Sequence, residues 1–345
     1  MNKPYLIAEA GVNYYDTAAK EEIPVIEAAK KYISEAKKAG ADAIKFQAYK
    51  AETLAVKNSP AYWDISKEKT RSQYELFKKF DFFGNKEYEE LYRYAKETGI
   101  DFLATPFDYK SADYLESMVG QYKISSSDIT NFPFLKYIAG KGKPVILSTG
   151  ASYLHEIEEA VYVLQNGGCK KVALLHCVLS YPCKYEDANL NRIKTLKRIF
   201  PGLEIGYSDH TLPDESMTVL SAAYLLGADI IEKHFTLDKT LEGNDHYHSG
   251  NPEDFRKAVT NFNLIREVLG NTDEKVLQCE EIPRKEARRS LVINKKLEKG
   301  TVITENDITL KRPGTGIPPK FYDIVVGRSV KHDLEEDTIL QWEMI

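Results

Sequence analysis

The feature that most constrains this chain is an alternation repeated eight times. From the start to about Gly270, short apolar runs alternate with longer amphipathic stretches, the pattern of βα units laid around a parallel sheet. The apolar runs predict strands over 5–10, 43–47, 102–107, 122–126, 145–149, 172–178, 205–209 and 230–235. Helical periodicity lies between them over 25–39, 87–98, 157–165 and 217–226, and after the last strand over 252–269. Eight strands, each followed by a helix, fit a closed (β/α)8 barrel. The alternative, an open doubly wound sheet, normally carries a glycine-rich phosphate loop after its first strand, and Ala10-Gly11-Val12-Asn13 is not one.

A different texture follows. Residues 271–287 are polar, carry Pro283 and read as a linker between a barrel over 1–270 and a small domain over 288–345. In that last part, Leu297-Glu298-Lys299-Gly300-Thr301-Val302-Ile303 resembles Leu334-Glu335-Glu336-Asp337-Thr338-Ile339-Leu340, which predicts a β-rich unit with pseudo-twofold symmetry. Composition then excludes several classes of function. A formal net charge of -5 with interspersed signs argues against a general nucleic-acid surface, which needs concentrated Lys and Arg. No apolar run reaches membrane-spanning length, and Met1-Asn2-Lys3-Pro4 leads straight into the first strand without a secretory signal, so the expected location is the cytoplasm. Cys169, Cys177, Cys183 and Cys279 form no CxxC pair, and reduced thiols without structural zinc are expected.

Polar and ionisable residues gather where the predicted strands end. They are Glu9, Lys45 and Gln47, Thr105 and Asp108, Lys123 and Ser126, Ser148 and Thr149, His176 with Tyr181 beyond it, Asp209 and His210, and His234. In a parallel barrel these ends open on one face, where active sites of this architecture form. Any one of them is as well explained as a solvated strand end or a satisfied core group; the coincidence along the whole series is not. Lys45, Lys123, Ser126 and Ser148 together offer two cations and two hydroxyls to a phosphate or carboxylate. His210 and His234, on adjacent strands, are placed to share a divalent ion, and two imidazoles favour manganese over a wholly oxygen-ligated ion. Glu9 faces the same opening as a handler of water or protons, and Asp245 is a further acid/base or hydroxyl-binding candidate. His246 and His248, in a polar loop, are expected to be solvated.

Taken in order, the residues resemble the sialic acid (N-acetylneuraminate) synthase family over almost the whole chain. The resemblance is carried by Ile7-Ala8-Glu9-Ala10-Gly11-Val12-Asn13, Ala39-Gly40-Ala41-Asp42-Ala43-Ile44-Lys45-Phe46-Gln47, Ala104-Thr105-Pro106-Phe107-Asp108 and Leu147-Ser148-Thr149-Gly150. It continues in Leu174-Leu175-His176-Cys177, Gly206-Tyr207-Ser208-Asp209-His210-Thr211, Glu232-Lys233-His234-Phe235-Thr236-Leu237-Asp238-Lys239 and Lys311-Arg312-Pro313-Gly314-Thr315-Gly316. It implies a TIM barrel joined to an antifreeze-like (SAF, β-clip) domain in a domain-swapped homodimer. It also implies a transferase that condenses phosphoenolpyruvate with an N-acyl amino sugar, using a divalent metal, manganese ahead of magnesium or cobalt. By position, Lys45, Lys123, Ser126 and Ser148 look like phosphoenolpyruvate ligands and His210 and His234 like the metal pair. Glu9 looks like the water-handling carboxylate, Gln47, Asp128, Tyr181 and Asp245 like substrate contacts, and Arg312 like the arginine that reaches the partner's site.

The sequence departs from the family pattern on the sugar side. Tyr14-Tyr15-Asp16 stands where His-Asn-Gly is usual, Ser126-Ser127-Asp128 where Ser-Gly-Glu is usual, Leu179 where a polar phosphate ligand is common, and Tyr247-His248 is inserted after Asp245-His246. Legionaminic or pseudaminic acid synthesis by the same chemistry therefore stays open, as do a 6-phosphorylated and an unphosphorylated sugar. Two readings of other kinds are a Schiff-base aldolase using Lys45 or Lys123, which borohydride trapping would reveal, and a non-catalytic carbohydrate-binding protein.

Overall fold

The computed structural model describes every residue except Met1, Asn244, Thr272 and Glu274. Two of these lie in the expected linker, one opens the chain, and Asn244 precedes Asp245. The chain divides into two compact units, Met1–Gly270 and Asn271–Ile345.

In the first unit eight strands form one parallel sheet: β1 (Tyr5–Gly11), β2 (Ala43–Ala48), β3 (Asp101–Pro106), β4 (Tyr122–Ile124), β5 (Val145–Ser148), β6 (Val172–Cys177), β7 (Glu204–Asp209) and β8 (Ile230–His234). Hydrogen-bonded neighbours run β3-β2-β1-β8-β7-β6-β5-β4, and β3 and β4 lie side by side to complete the barrel. Helices follow each strand, the longest being Pro252–Leu269. That helix begins where the Asn251 side chain accepts from the backbone N–H groups of Glu253 and Asp254, both at 3.0 Å, with proline in the first turn.

The side-chain period of two explains why a barrel of this sequence makes a site. Ile7, Ala43, Leu103, Ile146, Ala173, Leu175 and Ile230 form a separate apolar cluster inside the barrel. Two residues further along five of these strands stand Glu9, Lys45, Thr105, Ser148 and Glu232, on the same inward face. The interior thus changes from apolar to charged toward the C-terminal strand ends. Gly206, inside β7, has no room for a side chain: a Cβ there would lie 2.3 Å from the Ile230 carbonyl oxygen.

The outer face of the strands packs against helices around Tyr32, Phe46, Tyr122, Phe134, Phe235 and Phe262. Here the same parity corrects two expectations. His176 and Asp209 do not face the mouth. The His176 Nε2 lies 2.8 Å from the Ala188 carbonyl oxygen, and Asp209 is buried with Lys233 at 2.5 Å. Lys233 also donates to the Thr211 carbonyl at 2.9 Å, and the Tyr207 hydroxyl donates to Asp209 at 2.9 Å.

The second unit pairs β9 (Ser290–Ile293) antiparallel with β10 (Ile308–Lys311) over a core of Leu291, Ile293, Ile303, Ile317, Val325 and Leu340. The two copies of its internal repeat meet at their first residues. The Leu297 N–H donates to the Leu334 carbonyl at 2.9 Å, and the Leu334 N–H donates back at 2.8 Å. No helix among the described residues is long and apolar enough to cross a membrane.

The Asp209–Lys233 pair yields a stability prediction. Lys233 and its hydrogen bonds hold the Asp209 carboxyl below its ordinary range against the opposing effect of burial, so the pair stabilises the fold above about pH 4 and is lost as pH falls through the depressed value. Lys233→Met should cost about 3–5 kcal/mol at pH 7, because a buried carboxylate is left uncompensated. Protonation relieves that carboxylate, so the deficit should shrink by pH 4. Urea denaturation at the two pH values measures it; a deficit under about 1 kcal/mol at pH 7 would contradict the assignment.

Candidate active site

Four ionisable side chains meet inside the barrel. Lys45 Nζ lies 2.5 Å from Glu9 Oε2 and 3.8 Å from Glu232 Oε2, and donates to the Thr105 hydroxyl at 3.2 Å. Lys123 Nζ lies 3.6 Å from Glu232 Oε1 and donates to Ser148 Oγ at 2.7 Å. Glu232 accepts from the Ser208 hydroxyl at 3.0 Å, and Glu9 accepts from the Gln47 amide at 3.0 Å. All four charged groups are at most 5% exposed. An isolated buried ion costs several kcal/mol, whereas opposite charges about 4 Å apart attract by about 4 kcal/mol at an effective dielectric of 20. Each lysine therefore needs its carboxylate, and Glu232 serves both.

The site's acid–base state follows. Burial pushes the Glu9 carboxyl up, against Lys45 and with the help of Glu232. Glu232 is held below its ordinary value by Lys123 and Lys45 despite its burial. Burial alone would lower Lys45, but Glu232 and Glu9 raise it, whereas Lys123 is lowered by burial and by the nearby Lys45. The two lysines are thus not equivalent. Ser126 is buried at the turn after β4, beside Gly150, where a Cβ would lie 3.0 Å from Ser126 Oγ and 2.7 Å from Cys177 Sγ. A glycine at 150 is what lets these two chains approach.

Above this network the rings of His210 and His234 lie 5.4 Å apart, with the Tyr181 ring 4.2 Å from His210. Burial holds His210 down to about 4 and His234 well below the imidazole range, so both rings are neutral. His210 Nδ1–H donates to the Val178 carbonyl at 2.7 Å, which leaves the Nε2 lone pair available, the arrangement usual behind a metal-ligating imidazole. His234 Nδ1 is buried without a hydrogen bond and lies 3.5 Å from Asp245 Oδ2. Neutral rings with available nitrogens fit a divalent transition metal, although among the described residues no group of three or more His, Cys, Asp or Glu side chains is placed to hold one.

His248 and His246, expected to be solvated, are instead completely buried. The reason is packing of the loop after β8 back over the barrel mouth. His248 lies 5.0 Å from the His234 ring and 3.4 Å from Asp245 Oδ1, and Tyr247 donates to the Tyr181 carbonyl at 3.0 Å. Asp128 takes a hydrogen bond from Asn131 at 3.0 Å and lines, with Gln47, Tyr181, His234 and Asp245, a cavity of about 430 Å³. Arg312 is exposed in the second unit and has no carboxylate partner among the described residues. Glu232 was missed by the motif reading. It stands two residues before His234 on the same strand face, which is the signal that would have found it.

Comparison with known proteins agrees with this fold. The NeuB family model matches residues 32–274 and the SAF domain model matches residues 288–345. An uncharacterised protein of Methanocaldococcus jannaschii is 45% identical over 98% of this chain and 94% of its own length. The N,N'-diacetyllegionaminic acid synthase of Campylobacter jejuni is 37% identical over 99% of this chain and 100% of its own. The crystal structure of N-acetylneuraminic acid synthetase from Leptospira borgpetersenii, solved in complex with citrate, superposes with a TM-score of 0.69 at 37% identity, covering 81% of this chain and 90% of that one. A TIM barrel followed by an SAF domain, matched by both family models and by named synthases, defines a synthase, and the chain belongs to the NeuB family.

Proposed function

We propose that the protein condenses phosphoenolpyruvate with the open-chain aldehyde of an N-acyl amino sugar, N-acetylmannosamine or a related hexosamine, giving a nine-carbon 2-keto-3-deoxy acid and phosphate. The observation that carries this reading is the pair of buried lysines with Ser148 at the closed end of a barrel whose open end is a polar and aromatic cavity. Lys45, Lys123, Ser126 and Ser148 hold the phosphate and carboxylate of phosphoenolpyruvate; Gln47, Asp128 and Tyr181 hold the sugar. His210 and His234 are the residues that would hold a divalent ion, manganese by donor type, which supplies Lewis acidity toward the aldehyde oxygen.

The remaining chemistry falls to the protein's own groups. As the enol carbon forms the new C–C bond, positive charge develops at the central carbon, next to the Glu9 carboxylate. Glu9, anchored by Gln47 and Lys45, positions the water that adds there. Collapse of the tetrahedral adduct breaks the C–O bond and releases phosphate, whose charge the two lysines offset. Asp245, beside His234, is placed to exchange a proton with the sugar oxygen. The name of the Campylobacter relative supports the same reaction on a differently acylated aldehyde. Phosphoenolpyruvate is a cytoplasmic metabolite, so the reaction belongs there.

A panel of N-acyl hexosamine aldehydes incubated with phosphoenolpyruvate tests this directly. Phosphate release should depend on the aldehyde, give a product with the mass of the aldehyde plus that of pyruvate, stop on chelation and return with manganese. Release that needs no aldehyde, or full turnover by metal-free protein, would overturn it.

We also propose that two chains form a domain-swapped homodimer in which Arg312 serves the partner's site, where its planar fork can hold an N-acyl carbonyl. Its exposure and its lack of an ion pair among the described residues support this over a purely local role. Mixing Arg312→Ala and Glu9→Ala chains should regenerate activity in the heterodimer. Demonstrated subunit exchange with no activity above either variant alone would rule the shared site out.

A further inference from the structure

The lining of the outer cavity is of two kinds. One is apolar, with Tyr49, Leu54, Trp63, Leu76, Phe77 and Phe80, several of them contributed by the long segment between β2 and the helix Asn85–Thr98. The other carries three carboxylates, Asp16, Asp128 and Asp245, and among the described residues lining the cavity there is no lysine or arginine. The lysines of the site all lie at its inner end. The two ends therefore prefer opposite charges.

Asp16 is fixed from behind. His246 Nε2–H donates to Asp16 Oδ2 at 3.1 Å, and His246 Nδ1 lies 2.7 Å from Thr236 Oγ1, itself 3.4 Å from the Tyr32 hydroxyl. His246 is fully buried, so the carboxylate cannot swing out of the cavity without breaking this chain of contacts. The neighbouring Tyr14 and Tyr15 are buried against Phe83, which leaves Asp16 as the member of the Tyr14-Tyr15-Asp16 departure that reaches the ligand space.

We propose that this cavity selects an unphosphorylated amino sugar bearing apolar substituents, with Asp16, held by His246, as the residue that rejects a phosphate at the sugar's far end. This rests on the condensation reading above. Carboxylates only accept hydrogen bonds, so they recognise the O–H and N–H donors of hydroxyls and amides. A phosphate monoester brings nearly two negative charges and only acceptors, and at the sugar's far end, away from the aldehyde and the N-acyl group, it meets fixed like charges with no lysine or arginine among the described lining residues. Acyl methyl groups and deoxy carbons instead pack on the aromatic lining.

Three N-acyl hexosamine aldehydes differing only at C6, as hydroxyl, hydrogen or phosphate, test this with phosphoenolpyruvate as co-substrate. The phosphate form should have a kcat/KM lower by about 100-fold or more, the scale set by uncompensated like charges. Asp16→Asn should raise kcat/KM for the phosphate form about tenfold, leaving the KM for phosphoenolpyruvate unchanged, and Asp16→Glu should keep the discrimination. Equal or better use of the phosphate form, or a ratio unmoved by Asp16→Asn in folded protein, overturns the inference. If no aldehyde supports phosphate release, the condensation reading itself fails. Calorimetric binding of the three aldehydes to the wild-type protein then decides the inference alone: weaker binding of the phosphate form upholds it and tighter binding overturns it.

Discussion

Two lysine ammonium groups buried inside a barrel set the terms for the rest of the site. Neither can stay charged there without a carboxylate, and the strands supply two, Glu9 on β1 and Glu232 on β8. Parallel pairing places them: Glu9 is in register with Lys45 on one side and His234 on the other. The register that builds the barrel therefore also assembles the charge network and brings the imidazoles to its rim. A slip of one residue in any of these strands would turn a charged side chain into the apolar layer outside.

The network leaves a site with a direction. At its inner end cations and hydroxyls are held ready for an anion, with Lys123 kept less basic than Lys45 by burial and by its neighbour. At its rim neutral imidazoles and Asp245 meet. Beyond the rim the cavity turns acidic and aromatic. An anionic partner entering first, followed by an amphipathic one laid over it, is the order such a gradient favours.

Much of this was legible in sequence because it depends on periods. Eight apolar runs gave the strands, and the polar residues at their ends, Glu9 and Ser148 among them, gave the polar layer, which the structure places two residues beyond the inward Ile7 and Ile146. His176 and Asp209 were misplaced because proximity to a strand end says nothing of which face a residue takes. Glu232 was overlooked inside a motif read for its histidine. His246 and His248 looked solvated because a polar loop gives no local sign that it will fold back over a barrel. The aromatic lining from Leu54 to Phe80 was invisible for the same reason: it has no repeating period, and its shape is set by contacts such as Tyr49 with Phe77 and Tyr15 with Phe80.

The claim at the centre is that the buried lysines form the phosphoenolpyruvate end of the site. Calorimetric titration of phosphoenolpyruvate into the wild type and Lys123→Ala reads it most directly. Removing one member of a buried, hydrogen-bonded charge contact typically costs 2–5 kcal/mol of binding, so Kd should rise by roughly 30-fold or more, with affinity for the sugar aldehyde little changed. A folded Lys123→Ala protein that binds phosphoenolpyruvate as tightly as the wild type while losing the sugar would contradict it.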